Sequence, residues 1–257
     1  VIEVSDDATP LKVGTRIMAV CEYGGMAEEV VISAQSAIPI PDGMSYDMAA
    51  AFPIAYGTSH LALEHRAHLQ AGETLLVLGA GGGVGSTAVQ IGKLMGATVI
   101  AAASSSEKLD LAHRFGADHR IDYTKENLRD RVREITHGQG ANVIYDPVGG
   151  DLFDQALRSI AWEGRLLVIG FAAGKIPQLP VNLTLVKNCS VLGVYWGAYL
   201  AKDPKVLIGS LRQLLKWSAE GRLQTSVART FDLAHAPEAL YSLIQRQAVG
   251  KVVITIP

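Results

Sequence analysis

The run Leu75-Leu76-Val77-Leu78-Gly79-Ala80-Gly81-Gly82-Gly83-Val84-Gly85 leads straight into the apolar stretch Ser86 to Met95. A buried strand, a glycine turn and a helix start thus lie in one piece of chain. Free backbone N–H groups at such a helix start point into the turn, and the helix dipole favours an anion there. The chemistry this suits is the binding of a pyrophosphate. The spacing G-x-G-x-x-G cannot be laid from Gly79, because Val84 occupies its third glycine position. Gly79-x-x-Gly82-x-x-Gly85 fits, and Gly83-x-Gly85-x-x-Ala88 is a second register. Glycines alone would equally describe a loop that only turns the chain. Here Ala88, Val89, Ile91 and Leu94 give the following helix an apolar face, and a second strand begins at Thr98.

The end of that second strand selects the dinucleotide. An NAD site places an Asp or Glu about 20 residues past the glycines, to accept from the ribose 2′-hydroxyl. The chain reads Ala101-Ala102-Ala103-Ser104-Ser105-Ser106-Glu107-Lys108. Small hydroxyls and then a lysine stand where the carboxylate would be, which suits the 2′-phosphate of NADPH. Glu107 falls past the expected N-cap, where an acid answers to the helix dipole instead. NADPH rather than NADH is the expected cofactor.

These residues need a frame. Strands are predicted at Thr74–Leu78, Thr98–Ala102, His119–Ile121, Asn142–Tyr145, Leu166–Ile169 and Ser190–Tyr195, and helices between them at Val84–Met95, Glu107–Phe115, Leu128–Thr136 and Leu152–Ala161. Such alternation predicts an α/β fold, a doubly wound parallel sheet covered on both faces. Ahead of it lie short β segments at Thr15–Cys21, Ala27–Ser33 and Ala37–Ile40, then helices from Ser45 to Ala51 and Ala55 to Leu69. Behind it come an amphipathic helix, Pro204–Ala219, β texture at Val227–Phe231 and Lys251–Ile256, and a helix from Pro237 to Arg246. A β-rich start and end around an α/β middle predict one domain inserted into another, with segments 1–50, 51–222 and 223–257.

With 257 residues, 49% of them hydrophobic, the chain is long enough for a sizeable core. A net charge of −2 provides no basic field for nucleic acid and favours a small-molecule partner. Apolar runs stop short of the roughly 18 residues of a membrane span, and Val1-Ile2-Glu3-Val4-Ser5-Asp6-Asp7 lacks the pattern of a signal peptide. A cytoplasmic protein is expected. Cys21 and Cys189 read as free thiols. His65 and His68 have helical spacing but no third ligand nearby in sequence, so a solvated helix face is expected and no metal site.

Several segments together resemble one family. They are Pro41-Asp42-Gly43-Met44-Ser45, Tyr56-Gly57-Thr58-Ser59-His60-Leu61-Ala62-Leu63, Gln70-Ala71-Gly72-Glu73-Thr74, the glycine turn, Tyr145-Asp146-Pro147-Val148-Gly149-Gly150, Leu167-Val168-Ile169-Gly170-Phe171, Tyr195-Trp196-Gly197-Ala198 and Gly250-Lys251-Val252-Val253. In this order, through essentially the whole chain, they resemble the zinc-independent quinone oxidoreductases of the medium-chain dehydrogenase/reductase superfamily. The resemblance implies a Rossmann domain inserted into a GroES-like β-barrel domain, here incomplete, with NADPH delivering hydride to a quinone across the cleft between them. The family's pattern carries further residues ahead of Val1, so the chain is expected to start partway through the barrel.

Carried over residue by residue, the resemblance puts the pyrophosphate on Gly82, Gly83 and Val84, and the 2′-phosphate near Ser104, Ser105, Lys108 and Tyr123. Val148, Gly149, Gly170 and Phe171 would line the path to the nicotinamide, with Arg246 and Lys251 approaching from the tail. Each has an ordinary alternative: Gly149-Gly150 as a turn, Phe171 as core, Arg246 as a helix-end cation. Where zinc members carry a catalytic cysteine, this chain has Ile54. No catalytic donor is named by the resemblance; Tyr56 and Thr58 are candidates near the nicotinamide, with a cap or packing role as the alternative. An enone or enoyl-thioester reductase and a non-catalytic NADPH-binding protein are the competing functions. The apolar segment 190–199 is expected to pair with a second copy into a homodimer, against the alternative that Tyr195 and Trp196 line a substrate pocket.

Overall fold

Strands with apolar residues at nearly every position must be covered on both faces. The structure, a computed structural model describing residues 1–5, 11–21, 23–224 and 227–256, meets this with one central sheet. The chain opens with β1 (Ile17–Ala19), β2 (Ala37–Pro39), α1 (Tyr46–Ala51) and α2 (Pro53–His60). The alternating part follows: β3 (Thr74–Leu78), α3 (Gly83–Leu94), β4 (Thr98–Ala103), α4 (Ser106–Arg114), β5 (His119–Asp122) and α5 (Leu128–Ile135). It continues through β6 (Ala141–Asp146), α6 (Asp151–Arg158), β7 (Ile160–Val168), α7 (Val181–Lys187) and β8 (Ser190–Gly193). The chain closes with α8 (Tyr199–Lys202), α9 (Pro204–Ala219), β9 (Val227–Asp232), α10 (Ala236–Ile244) and β10 (Lys251–Thr255).

Six strands form a parallel sheet in the order β5-β4-β3-β6-β7-β8. Two halves start from the central β3 and wind outward in opposite directions, which is the doubly wound Rossmann order. Alternate residues face opposite sides. Leu75, Val77, Val99 and Tyr145 pack in the core shared with α3 and α9, while Leu76, Leu78, Ile100 and Ile144 pack with α5 and α6. The two flanking pairs, antiparallel β1–β2 and parallel β9–β10, both meet α1, so the start and end of the chain gather on one side. No helix among the described residues is long and apolar enough to cross a membrane.

Some boundaries differ from expectation. Ala27–Ser33 is not a strand; Val30 and Val31 are exposed, and no neighbouring strand among the described residues offers the segment a hydrogen-bond ladder. The helix expected to reach Ala161 ends at Arg158. Gly140 presses so closely on Ser159 that a Cβ there would lie 2.5 Å from the Ser159 carbonyl, and Ala141 N–H donates to that carbonyl at 3.0 Å. The expected helix to Leu69 turns into a π-helix from Leu61 to Arg66, and His68 takes a left-handed backbone.

The rim opposite the strands' carboxyl ends is held by a bidentate pair. Arg165 on β7 reaches past β6 to Glu73, Nη1 to Oε1 and Nη2 to Oε2 at 2.7 Å each, and its Nε donates to the Ala67 carbonyl at 3.0 Å. Burial alone would raise the Glu73 carboxyl, but the Arg165 hydrogen bonds, the Gln70 N–H and the guanidinium charge together hold it below its usual value. A depressed carboxyl contributes stability above its unfolded pKa, and that contribution disappears as pH falls through the folded value. Glu73→Gln is expected to cost about 1–3 kcal/mol at neutral pH. Urea unfolding should show the difference from wild type shrinking as pH falls to about 3.

Candidate dinucleotide site

At the carboxyl end of β3 the chain turns on Gly79, whose φ of 59° an L side chain rarely adopts. Gly82 N–H closes the turn on the Gly79 carbonyl at 2.9 Å, and Gly82 is the N-cap of α3. Of the two registers, the structure uses Gly79, Gly82 and Gly85 as its turn, cap and packing positions. A Cβ at Gly85 would lie 2.1 Å from the Gly79 carbonyl oxygen, so α3 can cross the strand end only there. No side chain caps α3, whereas Ser45, Ser105, Asn127 and Asp203 cap α1, α4, α5 and α9. Its first-turn N–H groups remain available to an anion.

Cationic side chains crowd this turn. Lys108, in the first turn of α4, lies across Gly81, where a Cβ would fall 2.4 Å from its own Cβ; its Nζ donates to the Arg246 carbonyl at 3.0 Å. The Lys251 stem covers Gly83, and burial pushes its ammonium below the ordinary lysine value. No hydrogen-bond partner of that ammonium occurs among the described residues. Gly250 N–H binds the Gly81 carbonyl at 2.9 Å, and Arg246 Nη2 reaches the Ala172 carbonyl at 3.2 Å. The tail therefore lies over the turn. A pyrophosphate fits this cradle: free N–H groups, no Cβ in the way, and a half-buried cation with no counter-charge among the described residues.

The strand-end loops complete the ring. Val148 reaches Gly79, and Phe171 lies against Gly149, where Cβ atoms would meet them at 3.0 and 3.1 Å. Gly170 N–H points to the Asp146 carbonyl at 3.4 Å. Tyr123 N–H donates to the Ala103 carbonyl, which puts Tyr123 beside the exposed Ser104. Ser105 accepts from Lys108 N–H as the α4 cap, and Glu107 is exposed beyond it. The expected cofactor residues thus lie at the carboxyl ends of the parallel strands or on the tail that covers the turn.

Tyr56 and Thr58 are buried where α2 packs on α3. The Tyr56 ring stacks on Phe52 at 4.7 Å; its hydroxyl donates to the Gln224 carbonyl at 2.8 Å and accepts from Gln90 at 3.2 Å. Trp196 rests on Gly57, where a Cβ would come within 2.6 Å of Nε1, while Tyr195 is 77% exposed. A residue that sequence reasoning misses is Asp146, whose Oδ1 accepts from both Val148 and Gly149 N–H at 2.8 Å. Its only signal is an acid closing an apolar strand.

Fold and turn define a protein with a dinucleotide-binding, Rossmann-type site. A family model described as zinc-binding dehydrogenase matches residues 83–219. The quinone oxidoreductase-like protein 2 homolog of Nematostella vectensis is 45% identical over 257 residues, covering 99% of this chain and 70% of that relative. The quinone oxidoreductase of Pseudomonas syringae pv. Tomato DC3000 superimposes with a TM-score of 0.91 at 30% identity, covering 99% of this chain and 79% of that one. The quinone oxidoreductase of Thermus thermophilus, solved also in complex with NADPH, superimposes with a TM-score of 0.84 at 34% identity, covering 95% and 78%. The chain belongs to the zinc-independent quinone oxidoreductase family of the medium-chain dehydrogenase/reductase superfamily. Ile54, at the position of the zinc members' cysteine, lies on α2 with its side chain half exposed, and no three His, Cys, Asp or Glu side chains among the described residues group to hold a metal.

Gly85→Ala tests the turn directly. The added methyl meets backbone rather than a movable side chain, so a loss of about 2–3 kcal/mol is expected in urea unfolding. Retention of a dinucleotide through gel filtration should fall with it.

Proposed function

We propose that the protein is an NADPH-dependent oxidoreductase that passes hydride to a quinone. The observation carrying this reading is Lys108, laid across Gly81 at the end of a strand that no carboxylate closes. The free first-turn N–H groups of Gly83 and Val84, beside the Gly82 cap that leaves them open, hold the pyrophosphate, with Lys251 as its counter-charge. Ser104, Ser105, Lys108 and Tyr123 serve the 2′-phosphate end, and Arg246 closes over the cofactor from the tail. Val148, Gly149, Gly170 and Phe171 wall the way to the nicotinamide. When bound, the cofactor supplies the hydride; the chain supplies position, charge and exclusion of water. A quinone suits such a site, because conjugation spreads the developing negative charge and hydrogen-bond donors suffice to stabilise it.

In this reading residues 51–222 are the cofactor domain, and 1–50 with 223–257 belong to a GroES-like substrate domain. The common contact of α1 with β1, β9 and β10 supports that grouping. Strand β8 pairs with β7 alone among the described strands, which supports a homodimer joined along its free edge. A reducing cytoplasm suits both the cofactor and the free thiols of Cys21 and Cys189.

Titrating NADPH and NADH against wild type and Lys108→Ala tests the cofactor. The substitution is expected to weaken NADPH about tenfold or more and to leave NADH unchanged; an unaltered preference refutes the assignment. NADPH oxidation by 1,4-benzoquinone should exceed that by a medium-chain enone or enoyl thioester, and the reverse order would make the protein an enoyl-type reductase. Binding without transfer to any acceptor would make it a non-catalytic NADPH binder. Sedimentation should give twice the chain mass.

A further inference from the structure

Asp146 closes β6, the strand beside β3 where the sheet order reverses. Its side chain is almost fully buried, and Oδ1 accepts two N–H groups at once, folding Pro147 to Gly149 back on the strand end. Its main-chain carbonyl accepts from Ile169 at 2.9 Å and Gly170 at 3.4 Å in the loop after β7. One residue thus ties two strand-end loops together. Beyond it they zip further: Ala172 N–H to the Pro147 carbonyl at 3.1 Å, Ala173 N–H to Val148 at 2.9 Å, and Gly150 N–H to Lys175 at 3.0 Å. Ser104, Lys108 and Tyr123 hang on β4, α4 and β5, on the other half of the sheet.

We propose that Asp146 is the positioning residue for the nicotinamide half of the cofactor site, its carboxylate setting the gap between the loops that grip that end. The inference rests on the NADPH reading above. A buried carboxylate oxygen that takes two N–H groups makes charge-assisted bonds, and losing it would leave both donors unpaired in the interior. Asparagine keeps an acceptor oxygen in the same place. Serine is too short to reach both donors.

The test separates the two halves of the cofactor. Wild type, Asp146→Ser and Asp146→Asn are titrated with 2′,5′-ADP, which carries the adenine half alone, by calorimetry. NADPH is titrated through the fluorescence gain that accompanies immobilisation of its nicotinamide. Asp146→Ser is expected to hold 2′,5′-ADP within about twofold of wild type, while NADPH weakens about tenfold and the fluorescence gain is lost. Asp146→Asn should restore most of both. Gly149→Ala, whose methyl meets the Phe171 ring and whose φ of 65° strains the turn that Asp146 holds, should show the same split and carries the test if Asp146→Ser does not fold. Equal weakening of both ligands, wild-type NADPH binding by Asp146→Ser, an Asp146→Asn as impaired as the serine variant, or a Gly149→Ala without the split overturns the proposal. A wild type that binds neither ligand overturns the cofactor reading itself and this inference with it.

Discussion

The molecule depends on one close approach, that of α3 onto the end of β3 at Gly85 and Gly79. With no Cβ at Gly85, the helix starts directly above the central strand instead of beside it. Strand order reverses at β3, so the free N–H groups of α3 face the crevice from which both halves of the sheet diverge. The β4–β5 half then brings Lys108 and Tyr123 to one side, and the β6–β7 half brings the Asp146 loops to the other. Neither half would address the same point in space if the helix stood off by the width of a methyl group.

Charge then follows geometry. A helix N-terminus is already positive, and Lys251 adds a buried ammonium that burial pushes toward its neutral form. Two positive features with no counter-ion among the described residues are costly, and a bound pyrophosphate would offset both. The tail that delivers Lys251 is fastened by Gly250 to Gly81 and by Arg246 to Ala172, so the cation is held in place by bonds to the backbone on both sides of the turn. Lys108 has a different standing. Its ammonium is loosely engaged with a single carbonyl, which a 2′-phosphate can replace as a partner because its oxygens carry full charge.

Much of this is legible in the chain because the parallel strands are buried on both faces and therefore apolar throughout. Thr74–Leu78 and Pro204–Ala219 fall where patterning predicts them, and Ser45 and Ser105 cap α1 and α4. The failures share a cause, dependence on a partner remote in sequence. Ala27–Ser33 has strand composition but no ladder to join among the described residues, and Ile160 leaves a helical pattern because Gly140 admits it to the sheet. The π-helix at Leu61–Arg66 has no composition that announces it. Of the candidate site, the glycine turn and the placement of Lys108 beside it follow from spacing, since their constraint is local. Asp146 does not, because the N–H groups it holds become meaningful only once two loops lie side by side.

The titrating groups sort in the same way. His235 and Asp232 form an exposed cap, and His60, whose pKa burial lowers, engages Ser210 through Nδ1 between α2 and α9. Tyr145 is raised by burial and bound to Ser59 beneath α3, where the Ser59 and Thr87 hydroxyls also hold the Val84 carbonyl. Tyr56 is tied to Gln90 and Gln224 on the same helix's flank. These buried hydroxyls brace α3 from below. Of the perturbed groups at the strand ends, Asp146 holds a pair of backbone N–H groups and Lys251 is an ammonium that burial disfavours. In the reading proposed above, such a site would fix where a hydride donor lies and leave the hydrogen-bond donors for the acceptor to other surfaces, the division of labour a conjugated acceptor permits.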